Sequence, residues 1–247
     1  MRFVIVNADD FGLSDGINRG VIQTFERGIV TSASLMVRQA AAEAAAHYAK
    51  DQPRLSLGLH LDFGEWVFTH GEWAQLYSVT RSNDPNALVQ EIESQLAEFR
   101  RLVGREPTHI DSYQHVHREE PLRSVVLAAA RRIGAPVREY SGIRYCGDFY
   151  GQTDEGESLP EALSARNLKQ ILAALPPGLT ELGCHPGYRD GLSSVYAAER
   201  ELEVYTLCSP ETRTGLAALG IQLCSFDTAP LSLIATEQPM AEELARH

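Results

Sequence analysis

Short apolar, β-branched runs alternate along this chain with longer stretches whose apolar residues recur at helical spacing. Few folds accept that pattern, because strands separated by helices pair in parallel as βαβ units. The first run is Phe3 to Val6, ended by Asn7-Ala8-Asp9-Asp10. Ser14 is placed to cap a helix in which Ile17, Val21, Ile22 and Phe25 share a face, and Gly28 to stop it. Further strands are expected over Ile29 to Val37, Leu55 to Leu61, Thr108 to Asp111, Val137 to Tyr140, Leu179 to Cys184 and Ile221 to Phe226. Helices are expected over Ala40 to Lys50, about Asn86 to Val103, Pro121 to Ile133, Pro160 to Leu175, Ser193 to Leu207 and Pro210 to Leu219. The two longest irregular stretches run from Asp62 to Asp84 and from Ser141 to Ser158. Loops of that length in a compact domain are usually functional or mobile.

The whole chain, residues 1–247, reads as a single α/β domain, since no Pro/Gly/Ser linker, charge block or repeat divides it. A formal charge of −11 argues against a nucleic-acid backbone as partner, because such binding runs on Lys and Arg neutralising phosphates. It suits a small neutral or cationic ligand. No apolar run approaches the ~18 residues of a membrane span, and the N-terminus reaches Asp9 and Asp10 too soon for a signal peptide. Cys146, Cys184, Cys208 and Cys224 form no CxxC pair and read as reduced thiols. A cytoplasmic location is the expectation. Cys184 beside His185 invites a thiol nucleophile, but Leu182 and Gly183 before it suggest a buried strand-end thiol.

Ionisable residues collect just after the strands. Five of the eight His (His60, His109, His115, His117, His185) lie in such segments. In a parallel barrel all strand C-termini open on one face, where active sites sit. Asp10, His60 and one of His115 and His117 are thus a natural carboxylate-imidazole set for a divalent ion. Two imidazoles and a carboxylate suit Zn, Co, Mn, Fe or Ni better than Mg. Each residue also has a plain structural role open to it: a hydrogen-bonded strand-end His, or a helix-capping Asp. Asp111 is placed either to orient a His ring or to cap its strand. The Asp-Asp-Phe-Gly string lacks every other part of a kinase signature.

The segments Asn7-Ala8-Asp9-Asp10-Phe11-Gly12-Leu13-Ser14, Gly28 to Ser34, Gly58-Leu59-His60, Thr108-His109-Ile110-Asp111-Ser112 with His115-Val116-His117, and Cys184-His185-Pro186-Gly187 resemble the YdjC family. These are carbohydrate deacetylases related to NodB-type polysaccharide deacetylases. The match runs in order from residue 3 to about residue 190. The resemblance implies a distorted seven-stranded parallel (β/α) barrel and hydrolysis of an N-acetyl group from a small amino sugar or oligosaccharide. It implies Asp10, His60 and His115 as metal ligands, Asp9 as base and His185 as acid. The family is often described with Mg2+, so Mg2+ or Zn2+ is the expected ion, with Mn2+ and Co2+ as further candidates. The family often has His where this chain has Tyr113, a change expected to touch the surroundings of the site or a sugar contact.

A metal ion lowers the pKa of water toward ~7 and polarises a carbonyl, so an amide becomes hydrolysable once a base and an acid flank it. The same site suits two rival readings: hydrolysis of another amide or a phosphoester, and sugar binding without turnover. The 62–84 stretch holds Phe63, Trp66, Phe68, Trp73 and Tyr77. Those aromatics suit a substrate lid, an interface in a homodimer, or plain packing.

Overall fold

The structure, a computed structural model, describes residues 1–69, 72–80, 84–153, 155–190 and 196–234, without the side chains of residues 68, 69 and 73. The strands are β1 (Arg2–Phe11), β2 (Ser32–Leu35), β3 (Ser56–Leu61), β4 (Gly64–Thr69), β5 (Glu72–Ser78), β6 (Ile110–Ser112), β7 (Arg144–Cys146), β8 (Gly178–Cys184) and β9 (Ile221–Cys224). The helices are α1 (Asp15–Arg27), α2 (Ala42–Lys50), α3 (Pro85–Val103), α4 (Leu122–Ile133), α5 (Ala165–Ala174), α6 (Ala197–Leu207) and α7 (Pro210–Ala218).

Seven strands form one curled sheet in the order β6-β3-β2-β1-β8-β7, with β9 added to β1. Every pairing in it is parallel. β1 shares one edge between two partners: β9 along residues 2–5 and β2 along residues 7–11. The alternation predicted the parallel sheet, and the result is the distorted (β/α) barrel that the resemblance implied, with β6 and β7 as its two margins. Residues 137–146 span the gap between those margins, starting from a single bridge of Val137 to Ile110.

Local chemistry sets the helix ends. Ser14 accepts from the Ile17 N–H at the start of α1. Asp84 caps α3 with Pro85 following it, and Gly104 ends that helix at φ 82°. Ser209 caps α7 ahead of Pro210.

Alternation along the strands decides what faces where. Val4, Val6 and Ala8 of β1, Ala33 and Leu35 of β2, and Leu57, Leu59 and Leu61 of β3 join the main apolar core with α1 to α5. The opposite parity is different in kind. Ile5 and Leu179 meet Ile143, Cys224 and Phe226 in a second, smaller apolar cluster. Beyond that layer the same faces carry Asn7, Asp9, Ser34, His60, Asp111 and Glu181, all buried. An apolar floor thus supports a polar interior.

Four expectations need correction. β1 does not end at Val6 but runs through Asp9 and Asp10 to Phe11, because pairing with β2 and β8 continues past the apolar run. Residues 137–140 are no strand, only the Val137 bridge, and β7 at 144–146 takes that place inside the stretch read as irregular. Residues 62–84 contain the antiparallel hairpin β4–β5, with Trp66 opposite Gln75. The side chains of Phe68 and Trp73 lie outside those described. Finally, Pro160–Leu163 is a separate 3-10 turn, and α5 starts anew at the Ser164 cap.

Candidate active site

β1 delivers Asn7 and Asp9 inward and then turns. Asp10 has φ 65° and Gly12 φ 94°, so two left-handed residues reverse the chain. For Asp10 that conformation is costly, of order 1–3 kcal/mol, and persists only where surroundings enforce it. Asn18 of α1 enforces it here. Its Oδ1 accepts from the Gly12 N–H at 2.7 Å while its Nδ2 donates to the Ala41 carbonyl. The turn aims the Asp9 and Asp10 carboxylates in different directions.

Asp9 is gripped by Arg138, whose Nη1 and Nη2 donate to its two oxygens at 2.7 and 2.8 Å. Asn7 Nδ2 donates to Oδ1 at 2.8 Å. Burial opposes ionisation, but the Arg138 guanidinium wins and holds the Asp9 carboxyl well below the usual range. Oδ2 also faces His185 Nε2 at 3.9 Å.

Asp10 is oriented from the other side. Arg200 of α6 donates to its Oδ2 at 2.6 Å, and Arg200 outweighs burial to lower its pKa. Oδ1 is buried with no hydrogen-bond partner and lies 3.4 Å from His60 Nε2. The other nitrogen of that ring, Nδ1, is bonded to Asp111 Oδ1 at 2.8 Å. Asp111 therefore fixes the ring and leaves Nε2 aimed at Asp10. Burial disfavours charge on His60, yet Asp111 and Asp10 push its pKa up to about 10.

Two donors each about 2.0–2.2 Å from one ion sit about 3–3.5 Å apart. Asp10 Oδ1 and His60 Nε2 meet that spacing, and the unpartnered oxygen is what a cation would satisfy. Asp9, His60 and Asp111 also offer ligand atoms within 4.8 Å of one another. Arg138 already pairs with both carboxylates of that group, at 2.7 Å each, and occupies oxygens that a cation would need. The open pair is Asp10 with His60.

His115 is not in the group whose ligand atoms lie within 4.8 Å of one another. Its ring packs edge-on against Tyr145, centroids 5.3 Å apart, with Tyr145 Oη 3.4 Å from Nε2. Its Nδ1 is buried and unpartnered. Burial first, then Arg138, lowers its pKa to about 3, so it is a neutral imidazole. His117 is held by Ser112 Oγ at 2.6 Å, and its Nε2 is likewise unpartnered. The ring standing edge-on to His60 is Tyr113, at 6.1 Å. Burial, Asp10 and Glu65 raise its pKa far above the ordinary phenol, so its hydroxyl stays a donor, bonded to Glu65 of β4. The His-to-Tyr departure thus stands in the wall of the site itself.

His109 serves the fold instead. It stacks on Phe226 at 3.7 Å, and a Cβ at Gly58 would run into its ring. Cys184 is buried, its thiol pushed well up by burial and donating to the Asn7 carbonyl at 3.3 Å, which removes it as a nucleophile. Sequence reasoning missed Arg138, Arg200 and Glu203. The first sits in the segment read as a strand; the other two are polar positions on a helix, at a spacing that placed them on no recognised motif.

Known proteins share this chain's pattern. The model of the family described as YdjC-like protein matches residues 3–218. A carbohydrate deacetylase of Geobacillus stearothermophilus is 33% identical, with 91% of this chain and 97% of that protein covered. A chitooligosaccharide deacetylase of Serratia marcescens is 32% identical, covering 91% and 98%. Among solved structures, a candidate cellobiose-phosphate cleavage protein of Enterococcus faecalis superposes with a TM-score of 0.76 at 24% identity, over 94% of this chain and 99% of that one. A family 4 acetyl xylan esterase of Clostridium thermocellum, in complex with a cobalt ion, has a TM-score of 0.54 at 12% identity, over 92% and 89%. With a family match over most of its length and relatives above 30% identity, the chain belongs to the YdjC-like family.

Proposed function

We propose that the protein is a divalent-metal-dependent hydrolase that removes the N-acetyl group from a small amino sugar, chitooligosaccharide-like in kind. The observation that carries this reading is the pairing of an open Asp10–His60 donor set with Asp9 and His185, the latter two only 3.9 Å apart. Asp10 and His60 would hold the ion, leaving its other positions to water and substrate. A divalent ion held there supplies Lewis acidity toward the acetyl carbonyl and makes water more acidic.

This chain's own groups carry the protons. Asp9 stays ionised because Arg138 holds it so, and its Oδ2 accepts the proton of the attacking water. Such a strongly held carboxylate is a weak base and passes the proton on readily. His185 Nε2, next to Oδ2, receives it and donates it to the departing nitrogen. Burial, outweighing Asp9 and Asp10, lowers the His185 pKa, so the ring starts neutral and ready to accept. Arg200 keeps Asp10 turned toward His60 throughout. A cleft of about 550 Å³ lies between the hairpin and the start of α4. It is lined by Phe63, Trp66, Val116 and Pro121, and its half-exposed Trp66 ring suits the C–H face of a sugar.

The test is acetate release from N-acetylglucosamine and N,N′-diacetylchitobiose, beside phosphate release from p-nitrophenyl phosphate. Acetate release that a chelator abolishes and a divalent ion restores is the expected result. Phosphate without acetate would replace this reading with the phosphoester one.

A further inference from the structure

Behind the His185 ring lies a carboxyl for which the reaction above has no use. Glu203, on α6, is fully buried. Its Oε2 accepts the backbone N–H of His185 at 2.5 Å, and its Oε1 accepts the Tyr196 hydroxyl at 2.7 Å. Oε1 also lies 3.8 Å from His185 Nδ1, which has no hydrogen-bond partner. On the far side of the ring, Nε2 faces Asp9. Tyr150 and Tyr196 stand edge-on to the imidazole, at 5.5 and 5.8 Å between centroids, and confine its rotation.

The hydrogen-bond inventory decides which nitrogen carries the resting proton. Both Glu203 oxygens already act as acceptors, so the ring atom facing them is matched only if it is a donor. A small rotation closes 3.8 Å to a hydrogen bond, and catalytic contacts are often loose before substrate binds. Asp9 already accepts three donors, from Arg138 and Asn7, against two at Glu203, so it is Nδ1 that is matched as the donor, and Nε2 keeps its lone pair. A base oriented by a third group on its far nitrogen is a general solution for acid–base work.

We infer that Glu203 is a positioning residue for His185: it keeps the proton on Nδ1, so that Nε2 is the atom through which a proton enters and leaves. Nδ1 keeps its proton throughout; the proton that reaches Nε2 from Asp9 Oδ2 is the one delivered to the leaving nitrogen. Burial pushes the Glu203 pKa up, and the Tyr196 hydroxyl, the His185 N–H and Arg200 all oppose that rise and favour the accepting carboxylate. The inference rests on the deacetylation reading for its kinetic arm only.

Long-range 1H–15N spectra of the labelled full chain, with His185 assigned by its own substitution, report the tautomer directly. Wild type should show the Nδ1–H form. Glu203→Gln should move the population toward Nε2–H and lower kcat on N,N′-diacetylchitobiose about 100-fold with KM within about twofold. Tyr196→Phe removes the other side-chain bond to Glu203 and should leave the tautomer as it is. An Nε2–H form in wild type overturns the inference even if Glu203→Gln does not fold. An unchanged tautomer in a folded Glu203→Gln also overturns it. Absence of acetate release in wild type would refute the proposed reaction while the spectra still decide the role of Glu203.

Discussion

Arg138 reaches Asp9, Asp111 and Glu181 from a segment without regular structure, with every contact at 2.6–2.8 Å and all four groups buried. Three carboxylates against one guanidinium leave an excess of negative charge. Glu181 absorbs part of it: burial, opposed by Arg138, raises its pKa to about 7. Removing the cation from such a cluster strands its partners, which costs about 3–5 kcal/mol. Arg138→Met should therefore lose that much in urea unfolding; a loss under about 1 kcal/mol would show that the cluster relaxes into water. Asp9→Asn and His185→Ala should each lower kcat about 100-fold while elemental analysis still finds the ion. His60→Ala should lose it; an ion retained at full occupancy in that variant would take His60 out of the ligand set. That Asp9, Asp10, His60 and His185 lie at or near strand C-termini was legible, because ionisable residues interrupt or follow the apolar runs there. That His115 stays out of the close group of Asp9, His60 and Asp111 was not legible, because the turn after β6 puts Gln114 and His115 at φ 51° and 54°. Two left-handed residues in a row turn neighbouring rings apart in a way that spacing along an extended segment does not foresee.

At the level of elements, parity carries the design. In Ser32-Ala33-Ser34-Leu35 and Ser56-Leu57-Gly58-Leu59-His60-Leu61 every second residue is small or polar, and those are the ones that face the interior. That period of two was visible in the sequence and marks a polar barrel interior rather than the doubly apolar strands usual in parallel sheets. The hairpin was harder to see, since its strands hold Trp, Tyr and Glu in no regular alternation. Gln114 ties it to the site: its side chain accepts from the Trp66 N–H at 2.8 Å and donates to the Trp66 carbonyl at 2.6 Å. Close approach governs α1. A Cβ on Gly20 would stand 2.5 Å from Gly187 Cα, in the loop that leaves His185. Gly20→Ala should cost about 1–3 kcal/mol in thermal or urea unfolding, since neither backbone can yield. Full stability in that variant would mean that α1 and the 185–187 loop are not held in contact.

Across the whole molecule, buried ionisable groups set how stability depends on pH when a chelator is present. His60, which Asp111 and Asp10 lift against burial, is pushed up to about 10 from 6.5, and buried Glu181 to about 7 from 4.5. Between those values the folded chain holds protons that the unfolded chain has released, so stability falls as pH rises through them. His115 and His117, lowered chiefly by burial to about 3 and about 4, act oppositely: their contribution is present above 6.5 and fades in acid. The melting temperature should peak between about pH 6 and 7 and drop by pH 9. A melting temperature that still climbs from pH 7 to 9 would contradict these assignments. Element order and parallel topology were readable from the sequence, because alternation at this scale leaves few choices. The divided edge of β1 was not, since pairing partners so far apart leave no local trace. That edge has a consequence for synthesis. Arg2 donates to the Leu219 carbonyl across 217 positions, beside the pairing of residues 2–5 with β9. A nascent chain on the ribosome must hold those first hydrogen-bonding groups unmatched until residues 221–224 have left the exit tunnel, so the sheet is completed only late in translation.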